Sequence, residues 1–195
     1  MNKYKVIAIS GKSASGKDTL LQRIVYQNNE VNEIINCTTR PLREGELDGI
    51  HYFFLSMDEF AHKDYHGEIL AVSKFRDWYY GTPISSFKKN SINVGVFNPT
   101  GLWSLYNDDR IDLYVVLVQA SDKVRLMRSL RREDNPDVDE IVRRYSADKA
   151  DFEAFSKWYE PDYIFDSEGC GLSDIDDAAR DIVLQAQRHW AEEAN

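Results

Sequence analysis

The chain has 195 residues, 43% hydrophobic and 29% charged, which suits one α/β domain with insertions. Its net charge of −9 argues against nucleic-acid or membrane partners, so an anionic ligand must be met by a local cluster of arginines. The two cysteines, Cys37 and Cys170, offer neither a disulfide framework nor a zinc spacing and suit a reducing cytoplasm; the run from Met1 into the first strand is too short for a signal peptide or membrane span.

Lys5–Ser10 reads as a buried strand and Lys17–Gln27 as the helix after it. Between them lies Gly11-Lys12-Ser13-Ala14-Ser15-Gly16-Lys17-Asp18, with the Gly-x4-Gly-Lys spacing of a phosphate-binding loop. Glycines let the backbone approach a phosphate, and the helix N-terminus adds partial positive charge. The expected ATP-binding set is Gly11, Ser13, Ala14, Ser15, Gly16, Lys17, Asp18 and Thr19, with Lys17 reaching the outer phosphates. Asp18 stands where such loops usually carry Ser or Thr, so it can hold Mg²⁺, cap the helix, or both.

Further along, Glu33–Cys37 reads as a strand, Thr38–Gly49 as turns, His51–Leu55 as strand-like, and Met57–Lys63 as a helix capped by Ser56 with Glu59 closing a capping box. Ile69–Phe75 and Trp78–Tyr80 read as strands, and Ser85–Asn90 as one or two helical turns. Asn93–Asn98 and Leu113–Gln119 read as central parallel strands. Asp122–Arg132 reads as a helix opened by Ser121, followed by a charged break around Pro136. A helical pattern over Val138–Trp158, a strand at Tyr163–Asp166 and a helix at Ser173–Trp190 capped by Ser173 complete the chain. This alternation predicts an α/β fold: a parallel core sheet covered on both faces. The core spans residues 1–35, 91–130 and 159–195, with an insertion at 36–90 and a further segment at 131–158, which the resemblance named below makes a lid.

The run Thr38-Thr39-Arg40-Pro41-Leu42-Arg43-Glu44-Gly45-Glu46, continuing through Asp48-Gly49 to Tyr52-Phe53-Phe54, has a partner downstream in Tyr79-Tyr80-Gly81-Thr82. Two guanidinium forks beside a proline-stiffened turn can converge on one phosphate. Together with the phosphate loop, these segments closely resemble the guanylate kinase family, in family order and over most of the chain.

That resemblance implies a P-loop three-layer α/β/α fold and transfer of the ATP γ-phosphoryl group to GMP, dGMP or another nucleoside monophosphate, with Mg²⁺. It implies that Arg40, Arg43, Tyr52 and Tyr80 hold the acceptor phosphate. It also implies that an arginine before the lid, Arg131 or Arg132, and Arg144 after it contact the phosphates. The expected catalytic set is Lys17, Arg40, Arg43, Arg132 and Arg144. Helix ion pairs with Glu133, Asp139 and Glu140 are the simpler account of Arg131, Arg132, Arg143 and Arg144.

The acceptor set Asn36, Arg40, Arg43, Tyr52, Ala71, Tyr80, Thr82 and Asn98 departs from the family in its base readers. Ala71 stands where the family has a glutamate, and Asn98 where it has an aspartate. Asn36 and Thr82 replace serines. A carboxylate is the natural acceptor for guanine's N–H donors, so the acceptor can be another nucleotide or a phosphosugar, as in the similar ribose 1,5-bisphosphate kinases. A guanylate kinase-like binding module without catalysis is the remaining alternative, and the chain can be a monomer or a homodimer.

Overall fold

The computed structural model describes residues 3–43, 45–75, 77–132 and 135–192, with Phe75 as backbone only. Glu44 of the arginine run and Glu133 beside the lid arginines therefore lie outside the described residues. The apolar runs read above become a five-stranded sheet of β1 (Tyr4–Ser10), β2 (Val31–Glu33), β7 (Ile92–Val96), β8 (Ile111–Gln119) and β9 (Tyr163–Asp166). The order is β2-β7-β1-β8-β9, and among the described residues every pairing in it is parallel. Parallel strands are buried on both faces, which is why β1 reads as unbroken apolar sequence from Val6 to Ile9.

Two apolar clusters cover the two faces. One packs Ile7, Ile9, Leu20, Ile24 and Val116 against α6 (Leu172–Glu192) through Ala179 and Ile182. The other packs Val6, Ala8 and Val115 against Leu102, Leu105 and Phe155. The first strand and helix of the phosphate loop, β1 and α1 (Lys17–Gln27), are thereby fixed from both sides.

A second sheet, in the order β4-β3-β6-β5, stands on the core. It is built from β3 (Cys37–Thr38), β4 (Phe53–Phe54), β5 (Ile69–Phe75) and β6 (Trp78–Pro83). Its pairings are antiparallel except β3 with β4, which is parallel. The helix α2 (Met57–Tyr65) joins β4 to β5, and its capping box of Ser56 and Glu59 forms as expected. The helices α4 (Asp122–Arg131) and α5 (Val138–Phe155) follow β8, and α5 lies within the segment 131–158 expected to form a lid.

Several local expectations change. The strand expected at Glu33–Cys37 is two short strands, because Ile34 to Asn36 crosses from the core to the small sheet. His51–Leu55 pairs only at Phe53 and Phe54, and Ser85–Asn90 contributes a single 3-10 turn at Ile84–Ser86. Ser173 lies inside α6 rather than at its cap. The α3 helix (Pro99–Tyr106) is absent from the sequence reading. Its start, Pro-Thr-Gly, resembles a turn, but Asn98 caps it by accepting from Gly101 N at 2.7 Å, and Pro99 occupies the first helical position, where no N–H is needed.

Candidate active site

The phosphate loop turns tightly because two glycines and one alanine allow it. Gly16 has φ +98° and Ala14 φ +59°. A Cβ at Gly11 would lie 2.3 Å from the Val118 carbonyl oxygen, so no side chain fits there. Gly16 is the N-cap of α1 and supplies no side-chain cap. Asp18 is therefore not the helix cap; it sits exposed in the first turn, beside exposed Thr19. A carboxylate and a hydroxyl at a helix start are hard oxygen donors, suited to Mg²⁺.

The loop's carbonyls are tied to α4 by two arginines that motif spacing did not single out. Arg125 Nε donates to Ser13 O at 3.2 Å, and Arg128 Nη1 donates to Ala14 O and Ser15 O at 3.3 and 3.2 Å. Arg128 also donates to Ser167 Oγ at 2.9 Å, and that hydroxyl donates to Ser15 O at 2.6 Å. With its carbonyls occupied on this side, the loop is held in one shape. Positions 125 and 128 lie three apart on a helix, so the shared face was legible in the sequence; its target was not.

Asp148 of α5 was also missed. Its carboxylate accepts from Ser13 N at 2.7 Å, Ser13 Oγ at 3.3 Å and Arg125 Nη2 at 3.2 Å. A lid carboxylate thus occupies a loop amide of the kind that binds phosphate.

A cleft of ≈ 820 Å³ runs from the loop between the two sheets. Among the expected residues it gathers Ser13, Asn36, Arg40, Arg43, Tyr52, Ala71, Tyr80, Thr82, Asn98 and Arg144. Arg40 is 5% exposed. Its end is taken by Glu46, with Nη1 to Oε2 and Nη2 to Oε1 both at 2.7 Å, and Nη1 also donates to Pro41 O at 2.8 Å. That accounts for three of the five guanidinium N–H hydrogens, and Tyr80 hydrogen-bonds to the same guanidinium. The Arg40 hydrogen bond holds the Glu46 carboxyl down at about 2. Burial raises the Tyr52 hydroxyl above its ordinary value, so it remains a proton donor.

The lid arginines separate. Arg132 and Arg144 line a small cavity of ≈ 120 Å³ with Ser13 and Ala14, and Arg131 is not among its walls. Arg143 and Arg144 each pair with Glu140 at 2.8 Å, so the helix ion pairs do form in this conformation. Those hydrogen bonds hold Glu140 down at about 2.

At the other end of the cleft the amides are oriented by their partners. Asn36 accepts from the Thr82 hydroxyl at 2.7 Å and donates to Val96 O at 3.4 Å. Asn98 gives its oxygen to Gly101 N and its amino group to Ser73 Oγ at 3.4 Å. Ala71 is buried at a bulge of β5, with φ +54°, and its N–H donates to Ser104 Oγ at 3.1 Å. A Cβ on Gly101 would come into ordinary contact with the Ala71 Cβ at 3.4 Å, so α3 passes beside Ala71 at the cleft wall.

Among the described residues, no cluster of three or more metal-ligating side chains occurs, and no helix is long and apolar enough to cross a membrane.

A family model described as guanylate kinase matches residues 3–180. A guanylate kinase of Maricaulis maris is 28% identical over 96% of this chain and 88% of its own length. A guanylate kinase of a Synechococcus species is 44% identical over 47% of this chain, a match that spans about half of that relative. A crystal structure of guanylate kinase from Anaplasma phagocytophilum superposes with a TM-score of 0.65 at 21% identity, over 96% of this chain and 87% of the other.

Proposed function

This chain belongs to the guanylate kinase family, and from that premise we propose that it transfers the γ-phosphoryl group of ATP to GMP or a closely related nucleoside monophosphate. The observation that carries the reading is the single cleft in which Ser13 of the phosphate loop meets Arg40, Arg43, Tyr52 and Tyr80. A binding module has no need for a phosphate loop and an arginine-lined acceptor site in one cavity, and the family match supports a nucleotide over a phosphosugar acceptor.

Phosphoryl transfer needs two anions brought in line and their charge neutralised. The loop amides and Lys17 bind the triphosphate. Arg40, fixed by Glu46, places its positive charge beside the acceptor phosphate, and Arg43, Tyr52 and Tyr80 complete that subsite. The acceptor phosphate is itself the nucleophile, so no side-chain base is required. Arg132 and Arg144 lie across the loop and stabilise charge on the transferring group when the lid closes. In this reading Arg144 exchanges Glu140 for phosphate. Asp18 and Thr19 would hold Mg²⁺, which supplies charge neutralisation between the outer phosphates. Residues 36–90 act as the acceptor-binding unit and 131–158 as the lid. Acceptor-dependent ADP release tests the reading: GMP must stimulate it, and no stimulation by any nucleoside monophosphate rules the reading out.

A further inference from the structure

The phosphate loop already holds an anion, supplied by the protein itself. Asp148 Oδ2 accepts from Ser13 N at 2.7 Å and from Arg125 Nη2 at 3.2 Å, while Oδ1 accepts from Ser13 Oγ at 3.3 Å. A loop amide, a loop hydroxyl and a guanidinium thus converge on one carboxylate. Those are the donor types that bind phosphate oxygens.

The place of this subsite selects the phosphate it fits. Ser13 and Asp148 line the ≈ 820 Å³ cleft with Arg40, Arg43, Tyr52 and Tyr80. The subsite therefore lies where the loop meets the acceptor cleft. In phosphoryl transfer that is the position of the γ-phosphoryl group, the part of ATP that must reach the acceptor.

Arg125 needs an anion there. Its side chain is 3% exposed, and its charge is met by Asp148, 16% exposed, and by Asp122, 60% exposed. A buried charge that loses its buried partner is costly, so Asp148 leaves readily only when another anion takes its place. Meanwhile the bond from Arg125 Nε to Ser13 O, 3.2 Å, keeps the guanidinium beside the loop.

Resting on the kinase reading above, we propose that Arg125 is a further substrate-binding residue: it binds the γ-phosphate of ATP in the place that Asp148 holds here. Asp148 and the γ-phosphate exchange at one set of donors, and Arg125 gives the loop its preference for ATP over ADP.

The test measures binding of ATP and of ADP, each with Mg²⁺, to the wild type, Asp148→Ala and Asp148→Ala/Arg125→Leu. In the Asp148→Ala background the arginine is removed without stranding a buried carboxylate. ADP lacks the γ-phosphate and reports general damage to the loop. Asp148→Ala should tighten ATP by about three- to tenfold and ADP by less than about twofold. Adding Arg125→Leu should then weaken ATP at least about tenfold, with ADP again changed by less than about twofold. Equal changes for the two nucleotides, or no weakening of ATP, would overturn the assignment and make Arg125 a structural support of the loop. Should the double variant not fold, Arg125→Lys in the same background keeps the charge and loses the fork. A loss confined to ATP then supports the assignment, and an equal loss or none overturns it. These measurements need no turnover, so they are separate from the kinase reading, which falls if the wild type shows no acceptor-stimulated ADP release.

Discussion

Ala71 shows how a single residue records a local conflict. Left-handed backbone costs an L-residue about 1–2 kcal/mol, yet this position adopts it and is buried. A β-branched side chain there would add clash to strain. Ala71→Val should therefore destabilise the protein by about 2 kcal/mol or more in urea unfolding, and an unchanged midpoint would contradict the strained geometry. Glu46 is the second residue with a measurable signature. Its folded value, about 2, lies below the ordinary 4.5, because Arg40 hydrogen-bonds the ionised form. The stabilisation is complete above pH 4.5 and disappears as pH falls toward 2. Glu46→Gln should flatten the pH dependence of stability in that window, seen as a smaller drop in Tm on acidification; an identical slope would show that the pair contributes nothing there.

At the scale of elements, the contact between α5 and the phosphate loop is the most consequential. Asp148 sits on Ser13 N, so a triphosphate that uses that amide must displace a carboxylate of the same charge sign. Asp148→Ala should lower the KM for ATP by about three- to tenfold, the range expected for freeing one charge-assisted hydrogen bond. A raised KM would mean instead that Asp148 supports the loop's binding shape. Long-range contacts of this kind were not legible in the sequence: Asp148, Arg125 and Arg128 read as ordinary helix-surface charges until the fold brings residues 13 and 148 together. What was legible were features with local causes. Gly-x4-Gly-Lys declared the loop, Ser56 with Glu59 declared α2, and apolar runs declared the central strands. The helix α3 escaped because its capping and proline start look locally like a turn, and the bounds of β3 and β4 were misplaced because two-residue strands carry no periodicity.

For the whole molecule, three sources of side chains meet at one cleft: the core sheet's loop, the small sheet with its arginines, and the lid helix. The family order of the motifs anticipated that meeting, since Arg40, Arg43, Tyr52 and Tyr80 do share the cavity with Ser13. The ion pair of Arg144 with Glu140 was one of the two accounts the sequence offered for that arginine, but the carboxylates of α5 that face the cleft were not anticipated. In the proposed reading the segment 131–158 closes as a lid once both substrates are bound. The account therefore rests on phosphoryl transfer that depends on the loop lysine. The most direct measurement is GDP and ADP formation from GMP and ATP with Mg²⁺, in the wild type and in Lys17→Ala. The account predicts equal amounts of both products from the wild type and a loss of at least about hundredfold in kcat for the variant, as for removal of a group that stabilises transition-state charge. ADP formed without GDP, or turnover indifferent to Lys17, would contradict it.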